Sequence, residues 1–421
     1  MKAWLASRRW FRGKSRGLTD AAVEESFDLD LAGEHVELVV LRCGYQDGGE
    51  ERYVTLARNG ALENDAATDP RLLAALMQKM RGARIPGDRG TLVFRPLPGF
   101  DDGEAARAMP RPSTLEQTNT SIPFGESYVL KIVRKLDEGR SAELEMGEYL
   151  TRHDYRSAAE VVGAIEIARS GEQPSTVAIV HRYVPNEGDA WSATLEAIAR
   201  DSRSTSFGAM ARLLGRRIAE MHAVLAAGDE PGFAPVSLGR AARELLATDV
   251  RGRADAIAKH LRPGDRQRID VRLARFVAVE QPLLATRIHG DLHLGQILTT
   301  KDDVVIIDFE GEPARTLHER KAKRSPLADV AGMLRSFDYA AATARVDRSW
   351  ARETGETFLG AYGSVPRDAL DFYLLEKCVY EIGYEANHRP HWIDVPLGGL
   401  FDLLGGDRAA RVTALESRRI H

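Results

Sequence analysis

The stretch RIHGDLHLGQILTTKDDVVIIDFEGEP, residues 287–313, holds two short runs of strand-forming residues with a polar turn between them. The runs are Gln296–Thr300 and Val304–Asp308, and the turn is 301–303. This pattern predicts an antiparallel hairpin. If Thr300 faces Val304, stepping outward places Gln296 opposite Asp308, with Cβ atoms about 5 Å apart.

The oxygens around this hairpin suit a magnesium ion and a hydroxyl. The amide of Gln296 and the carboxylate of Asp308 both offer the hard oxygens that Mg²⁺ prefers. Asp291 precedes the first strand on a loop, where a carboxylate can orient a substrate hydroxyl and accept its proton. His289 is expected to brace that loop. Glu310 is either a second metal contact or an ordinary solvated acid, and the sequence leaves this open.

The motif HGDLH, residues 289–293, also allows a different chemistry. Its alternating His, Asp and His resemble the ligands of a transition-metal hydrolase. The apolar strand that follows delivers a further carboxylate, and no second histidine-rich cluster appears. Phosphoryl transfer with bound ATP and Mg²⁺ is therefore the favoured interpretation, and a hydrolase remains an alternative.

HGDLHLGQIL and IIDFEGEP resemble the maltokinase family, within the aminoglycoside phosphotransferase branch of the protein-kinase-like superfamily. Gln296 agrees with this resemblance, because maltokinases typically place Gln where the wider superfamily has Asn. Residues 319–341 resemble the family segment after the metal loop, in which Asp329 anchors the catalytic loop. The resemblance implies an α+β, bilobal protein-kinase-like fold with an N-terminal α+β cap subdomain, a β-rich small lobe and a mostly helical large lobe.

The nucleotide-binding residues are predicted upstream. Lys131 lies between Val129 and Val133 on one strand face, which is natural if that face borders a nucleotide. The resemblance makes Lys131 the lysine that contacts the α- and β-phosphates, with Glu145 as its partner and Glu143 and Glu148 as competitors. The turn Asn119–Ser127 is predicted to cover phosphates through backbone amides and small side chains; its candidate contacts are Asn119, Thr120 and Ser121.

The resemblance also locates a hinge. Residues 175–191 begin as an apolar strand and end in a polar turn. The backbone of Arg182, Tyr183 and Val184 is expected to hydrogen-bond the adenine edge. His222, in a helical segment at 207–226, is expected to be a satisfied core histidine.

The acceptor site is predicted on the helix that starts at or before Glu376 and runs to the proline at 390. At about 100° per residue, Lys377, Tyr380, Tyr384 and His388 share one stripe, which is too polar for a core and suits the faces and hydroxyls of a sugar. By resemblance this is the sugar-binding segment of maltokinases. The predicted acceptor contacts are Lys377, Tyr380, Tyr384, Glu381, Arg389 and Trp392, with a structural role as the alternative for Trp392.

Composition limits the other functions. Lys and Arg total 58 against 62 Asp and Glu, and the resulting net charge of −4 gives no general attraction to nucleic acid. The two cysteines are far apart, as in a reduced, cytoplasmic protein. No run approaches the ~20 apolar residues of a membrane span, so neither a membrane nor a nucleic acid is expected as a partner.

Three segments are predicted: an N-terminal cap subdomain at 1–105, a small lobe with the hinge at 106–186, and a helical large lobe at 187–421. The predicted reaction transfers the γ-phosphoryl group of ATP to a sugar. The resemblance implies that this sugar is maltose and that the product is maltose 1-phosphate. Another sugar such as glucosamine, or an inactive kinase fold that binds a partner, is the alternative. Because maltokinase domains occur fused to trehalose synthases, trehalose synthase is a predicted partner.

Overall fold

The computed structural model describes residues 1–112 and 119–405. The chain forms two compact units. The first consists of Met1–Pro185 with Asp308–Arg320, and the second of Asn186–Ile307 with the residues from Lys321 onward. The division at Pro185 lies one residue from the predicted end of the small lobe.

The first unit contains two antiparallel sheets that share a core. One sheet has the strand order β1-β2-β3-β4 with β9 paired to β3, and the other has the order β5-β6-β10-β11-β8-β7. Apolar side chains of both sheets, such as Val40 and Leu130, belong to one buried cluster. The strands are β1 (Leu18–Asp28), β2 (Val36–Tyr45), β3 (Glu50–Arg58), β4 (Ala61–Asp65), β5 (Arg84–Pro86), β6 (Thr91–Pro96), β7 (Thr120–Phe124), β8 (Tyr128–Ile132), β9 (Lys135–Leu136), β10 (Val161–Ala168) and β11 (Ser175–Arg182).

The predicted boundary between a cap at 1–105 and a small lobe at 106–186 stays a prediction, and the two sheets exchange strands across it. β5 and β6 precede residue 105 but lie in the second sheet, and β9 follows it but lies in the first. Sequence alone did not show this exchange, because strand patterns do not specify which sheet a strand joins. The helices of this unit are α1 (Lys2–Ser7), α2 (Pro70–Gln78), α3 (Asp102–Arg107) and α4 (Ala142–Arg152).

The second unit is mostly helical, as predicted. Its central helix, α10, buries Val330, Met333 and Phe337 at helical spacing. The remaining elements are α5 (Ala190–Arg200), α6 (Ser204–Ala226), β12 (Val236–Ser237), α7 (Arg240–Ala256), α8 (Asp265–Val277), β13 (Leu284–Ala285), β14 (Ile297–Thr299), β15 (Val304–Ile306), α9 (Leu317–Lys321, largely in the first unit), α10 (Leu327–Ala344), α11 (Ser349–Tyr362), α12 (Arg367–His388) and α13 (Asp394–Leu403).

The predicted hairpin forms, but its register differs by one residue. Thr299 pairs with Val304 and Ile297 with Ile306, and the amide of Ile307 donates to the carbonyl of Gln296 at 3.0 Å. Gln296 therefore faces Ile307, not Asp308. The reason is the turn: Thr300 donates its amide to the carbonyl of Asp303 at 2.9 Å, so the loop has four residues instead of three.

In the described part of the chain, no helix is both long enough and apolar enough to cross a membrane.

Candidate functional site

A buried lysine in the first unit collects three carboxylates. The ammonium of Lys131 on β8 lies 2.7 Å from Glu143 Oε2 and 2.6 Å from Glu310 Oε1, and it also pairs with Asp308. We call these four residues the Lys131 cluster. Carboxylate oxygens of its three acids lie within 4.8 Å of one another.

Burial and charge act against each other in this cluster. Burial alone would lower the pKa of Lys131, but Glu143, Glu310 and Asp308 raise it well above its usual value. Burial would raise the pKa of Glu143, yet the attraction of Lys131 lowers it. For Glu310 burial dominates, and its pKa is raised. Lys131 and Glu143 therefore form a stable ion pair.

Glu143, and not the predicted Glu145, is the partner of Lys131. Glu143 is buried on the inner face of α4, whereas Glu145 is only partly buried and Glu148 pairs with Arg95. A signal for this was present in the sequence. Met146, Gly147 and Leu150 follow Glu143 at helical spacing and are buried, so Glu143 shares the inward face.

Asp308 and Glu310 lie on the segment after β15. Asp308 has a φ of 66°, a left-handed conformation that costs a non-glycine residue energy and often marks a functional position. Glu310 is held by Asn119, which donates its amide to Oε1, and by Arg12, whose guanidinium lies 3.9 Å from Oε2. The acids of this cluster are the donor type that Mg²⁺ takes, so the residues present fit that ion.

The predicted phosphate-covering turn, Asn119–Ser127, is shorter in the structure and lies at the end of that range. Thr120–Phe124 is strand β7, and the connection to β8 is 125–127, so Asn119, Thr120 and Ser121 do not form a turn. Asn119 and Thr120 instead accept hydrogen bonds from the amide and the guanidinium of buried Arg134, at 3.3 and 2.8 Å. Alternating apolar and polar residues here form a strand edge, and the polar composition alone suggested a loop.

Two backbone amides of the predicted hinge form hydrogen bonds within the first unit. The amide of Arg182 donates to the carbonyl of Glu160 at 2.8 Å, and that of Tyr183 to the carbonyl of Ser127 at 2.9 Å. These two amides therefore do not serve an adenine in this structure, whereas adenine contacts through the carbonyls of the same two residues stay a prediction. An adenine contact at Val184 stays a prediction.

The predicted catalytic loop, residues 289–293 of the second unit, is fixed by a buried aspartate. Asp329 on α10 accepts the amides of His289 and Gly290 at 2.8 and 2.9 Å. It also accepts from His222 Nε2 at 3.1 Å, while His222 Nδ1 lies 2.9 Å from the hydroxyl of Tyr362. Burial would raise the pKa of Asp329, but the hydrogen bond from His222 and the nearby charges lower it. Asp329 thus anchors the loop, and His222 is a satisfied core histidine, both as predicted.

His289 links the loop to the end of the hairpin. Its Nε2 lies 2.9 Å from the carbonyl of Ile307, and its Nδ1 lies 3.3 Å from the amide of Asp291. In this arrangement Nε2 is placed to donate to the carbonyl and Nδ1 to accept from the amide. The ring is therefore a brace, as predicted, and the side chain of Asp291 is directed by a rigid loop.

The predicted stripe of α12 exists and begins beside Asp291. The ammonium of Lys377 lies 3.8 Å from Asp291 Oδ1 and 5.5 Å from the ring centroid of Tyr380. The Tyr380 and Tyr384 rings are 6.3 Å apart, and Tyr384 and His388 are 4.6 Å apart, with interplanar angles of 24° and 20°. We call these four side chains the tyrosine row.

Other predicted acceptor residues have structural partners. Glu381 is buried and its Oε2 lies 2.8 Å from Arg335 Nε, so it is not presented to a substrate and that prediction is wrong. Arg389 donates twice to Glu385, at 2.9 and 2.6 Å, with its guanidinium 5.5 Å from the Tyr384 ring. Trp392 packs on Tyr339 at 6.1 Å. Sequence reasoning missed Arg335 and Tyr339, because their roles depend on which helices become neighbours.

Comparisons with known proteins match most of the chain to two family models. The family model described as "Phosphotransferase enzyme family" matches residues 116–366, and that of the "Maltokinase N-terminal cap domain" matches residues 4–88. A glucosamine kinase of Streptacidiphilus jiangxiensis is 30% identical over 389 residues, covering 85% of this chain and 81% of that protein. A second, from Mycolicibacterium smegmatis, is 29% identical over 329 residues, covering 70% and 79%.

Solved structures show the same fold. A glucosamine kinase structure superposes with a TM-score of 0.72 at 22% identity, covering 96% of this chain and 99% of that chain. A glucosamine kinase in complex with glucosamine, ADP and inorganic phosphate gives a TM-score of 0.70 at 22% identity, covering 96% and 98%. These matches include the N-terminal region as well as the residues of the kinase family model. The predicted fold class is confirmed.

Proposed function

Because the chain belongs to the phosphotransferase enzyme family, matched over residues 116–366, we propose that it transfers the γ-phosphoryl group of ATP to a neutral disaccharide, maltose. The coarser part of this statement follows from the family and its relatives: the chain is an ATP-dependent phosphotransferase with an alcohol acceptor, and a sugar kinase. The choice of sugar and the role of each residue are the proposal.

One observation supports a sugar acceptor most directly. The tyrosine row starts 3.8 Å from Asp291 Oδ1 and continues along α12 as successive, nearly parallel rings. Aromatic rings pack against the apolar faces of sugar rings, while the tyrosine hydroxyls and Lys377 can bind sugar hydroxyls. A row of more than one ring offers a surface for more than one sugar ring, which favours a disaccharide over a monosaccharide.

The charge at the start of the row favours a neutral sugar. The Lys377 ammonium next to Asp291 would repel the ammonium of an amino sugar and can instead donate to hydroxyls. Glucosamine is nevertheless the second candidate, because both curated relatives at 29–30% identity are glucosamine kinases. The cap domain does not separate the two sugars, since glucosamine kinase structures match 96% of this chain, cap included.

Each region then has a defined task. Asp291 orients the acceptor hydroxyl and accepts its proton, and His289 keeps the loop rigid. Lys131, held by Glu143, binds the phosphates. Asp308 and Glu310 would hold Mg²⁺, and the bound ion neutralises phosphate charge. An amide contribution from Gln296 stays a prediction, as does a trehalose synthase partner.

An acceptor panel tests this function. ATP consumption should be measured by coupled ADP detection with maltose, glucosamine, glucose and an aminoglycoside as acceptors. The proposal expects the highest kcat/KM with maltose and 1-phosphorylated maltose as the product. Higher kcat/KM with glucosamine would replace maltose by the second candidate. ADP release that no acceptor stimulates would contradict a sugar kinase role altogether.

A further inference from the structure

Helix α10 is fastened to the catalytic loop at three points. Asp329 accepts two loop amides, and Ser336 Oγ accepts the amide of Leu294 at 3.1 Å. Between them, a Cβ added at Gly332 would lie 2.5 Å from the carbonyl oxygen of Leu292. The helix and the loop are therefore in close contact, and the position of α10 fixes the position of Asp291.

The same helix is fastened to α12 by a neighbouring set of side chains. Arg335 Nε and Nη2 lie 2.8 and 2.7 Å from Glu381 Oε2, and the Tyr339 hydroxyl donates to Glu385 Oε1 at 2.9 Å. Both contacts repeat at a spacing of four residues on each helix, so they form two successive links. Both carboxylates are buried, which makes the loss of either partner costly.

These links border the tyrosine row. At about 100° per residue, Glu381 and Glu385 lie on one side of the stripe formed by Lys377, Tyr380 and Tyr384. Glu376 lies on its other side and is held by Arg324 at 2.8 and 2.9 Å. The backbone of Arg324 in turn exchanges two hydrogen bonds with Thr286, just before the catalytic loop, at 2.8 and 2.9 Å.

We propose that Arg335 and Tyr339 are positioning residues for the acceptor: they hold the tyrosine row of α12 in register with Asp291 through α10. The inference rests on the proposed sugar acceptor site. It assigns a function to two side chains that contact Glu381 and Glu385 beside the row. A displacement of α12 by a fraction of an ångström would misplace the acceptor hydroxyl, and reaction rates are sensitive to such shifts.

The mildest test is Tyr339→Phe, which removes one hydroxyl and keeps the ring. We expect the sugar KM to rise about tenfold, the low end of the cost of losing one hydrogen bond to a charged group, while the ATP KM stays within about twofold. Steady-state kinetics with each substrate varied in turn measures the split. A variant that unfolds at assay temperature is excluded by its melting curve.

A second variant disturbs Arg335 without changing its charge. A Cβ at Gly399 on α13 would collide with Nη1 of Arg335, so Gly399→Ala should push the guanidinium away from Glu381 and raise the sugar KM in the same way. Gly252→Ala on α7 is the matched control, because that Cβ would meet nothing within 4 Å. Both are helical Gly-to-Ala changes with the same gain in helix propensity.

A third variant separates positioning from stability. Arg272 on α8 also pairs with an α12 carboxylate, at 2.5 Å from Asp371, at the other end of the helix. Arg272→Gln should lower the melting temperature and leave both KM values unchanged. An unchanged sugar KM in Tyr339→Phe would overturn the inference, and so would an equal rise of the sugar KM in Arg272→Gln. In either case a raised sugar KM in Tyr384→Phe would still support the proposed acceptor site. A wild-type enzyme inactive on every sugar would overturn the proposed function first.

Discussion

The Lys131 cluster and the tyrosine row are built from opposite kinds of interaction. In the cluster, charges face charges with little water between them: the side chains of Lys131 and Glu143 are 11% and 3% exposed. In the row, one ammonium leads a series of rings, and Tyr384 is 42% exposed. Buried charges are strong and intolerant of loss, whereas exposed contacts are weak and additive. Changes in the cluster should therefore be severe, and changes in the row graded.

The largest effect is expected from Lys131→Met. It removes the cation that three carboxylates share and that is proposed to bind the phosphates. We expect kcat/KM for ATP to fall by roughly 10²–10³, the usual cost of one electrostatic stabiliser. Steady-state kinetics measures this, and a loss below about tenfold would show that the cluster is structural.

Glu143→Gln tests the partner assignment within the cluster. It leaves the size of the side chain but removes one of the three charges that pair with Lys131. We expect the ATP KM to rise about tenfold, equivalent to ~1.4 kcal/mol, within the range for hydrogen bonds to charged groups. Glu145→Gln is the matched control on the same helix and should stay within about twofold. The reverse order would restore Glu145 as the partner.

Asp329→Asn removes a buried charge from the second unit, so its effect can be compared with the loss of a buried charge from the Lys131 cluster. Asp329 accepts from His222, His289 and Gly290, and Tyr362 lies beyond His222. We expect the free energy of unfolding at pH 7 to fall by about 2–3 kcal/mol. Urea titrations of both proteins at several pH values measure it.

The pH dependence of that difference has a defined sign. The pKa of Asp329 is lowered in the folded protein, so its stabilising effect is present above its unfolded value, about 3.9, and is lost as the pH falls through the lower folded value. The wild-type and Asn proteins should therefore differ by a constant amount from pH 7 to 5 and converge only in more acidic solution. A difference that already disappears at pH 6 would implicate another group.

The smallest effect is expected from Tyr384→Phe in the tyrosine row. The ring and its packing on His388 remain, and only the hydroxyl is lost. We expect the sugar KM to rise three- to fivefold, about 1 kcal/mol, and the ATP KM to stay unchanged. Tyr373→Phe, at a buried position of the same helix, is the control. A larger effect on the ATP KM would remove α12 from the acceptor site.

The sequence was most informative where a role depends on neighbours along the chain. The row from Lys377 to His388 follows from helical periodicity, and the structure shows the contacts along it. The anchor Asp329 was implied by the resemblance to a known family, and the structure shows its hydrogen bond to the loop. The resemblance to a known family supplied the fold class, which spacing alone does not provide.

Predictions that required a choice among distant partners were less accurate. Lys131 is paired with Glu143 instead of Glu145, and Glu381 binds Arg335 instead of facing a substrate. In both cases a charged side chain on a helix had to be assigned to the buried or the exposed side. Tertiary packing decides that, and a shift of two residues, about 200° around the helix, reverses the answer.

The most direct test compares Asp291→Asn with Asp308→Asn, measuring nucleotide binding by calorimetry with and without Mg²⁺ together with turnover on maltose. The account predicts that Asp291→Asn binds Mg²⁺–ATP like the wild type but loses turnover by about 10²–10⁴, while Asp308→Asn loses the Mg²⁺-dependent part of binding. Equal, small effects of both substitutions on binding and turnover would contradict the division of tasks proposed for the two regions.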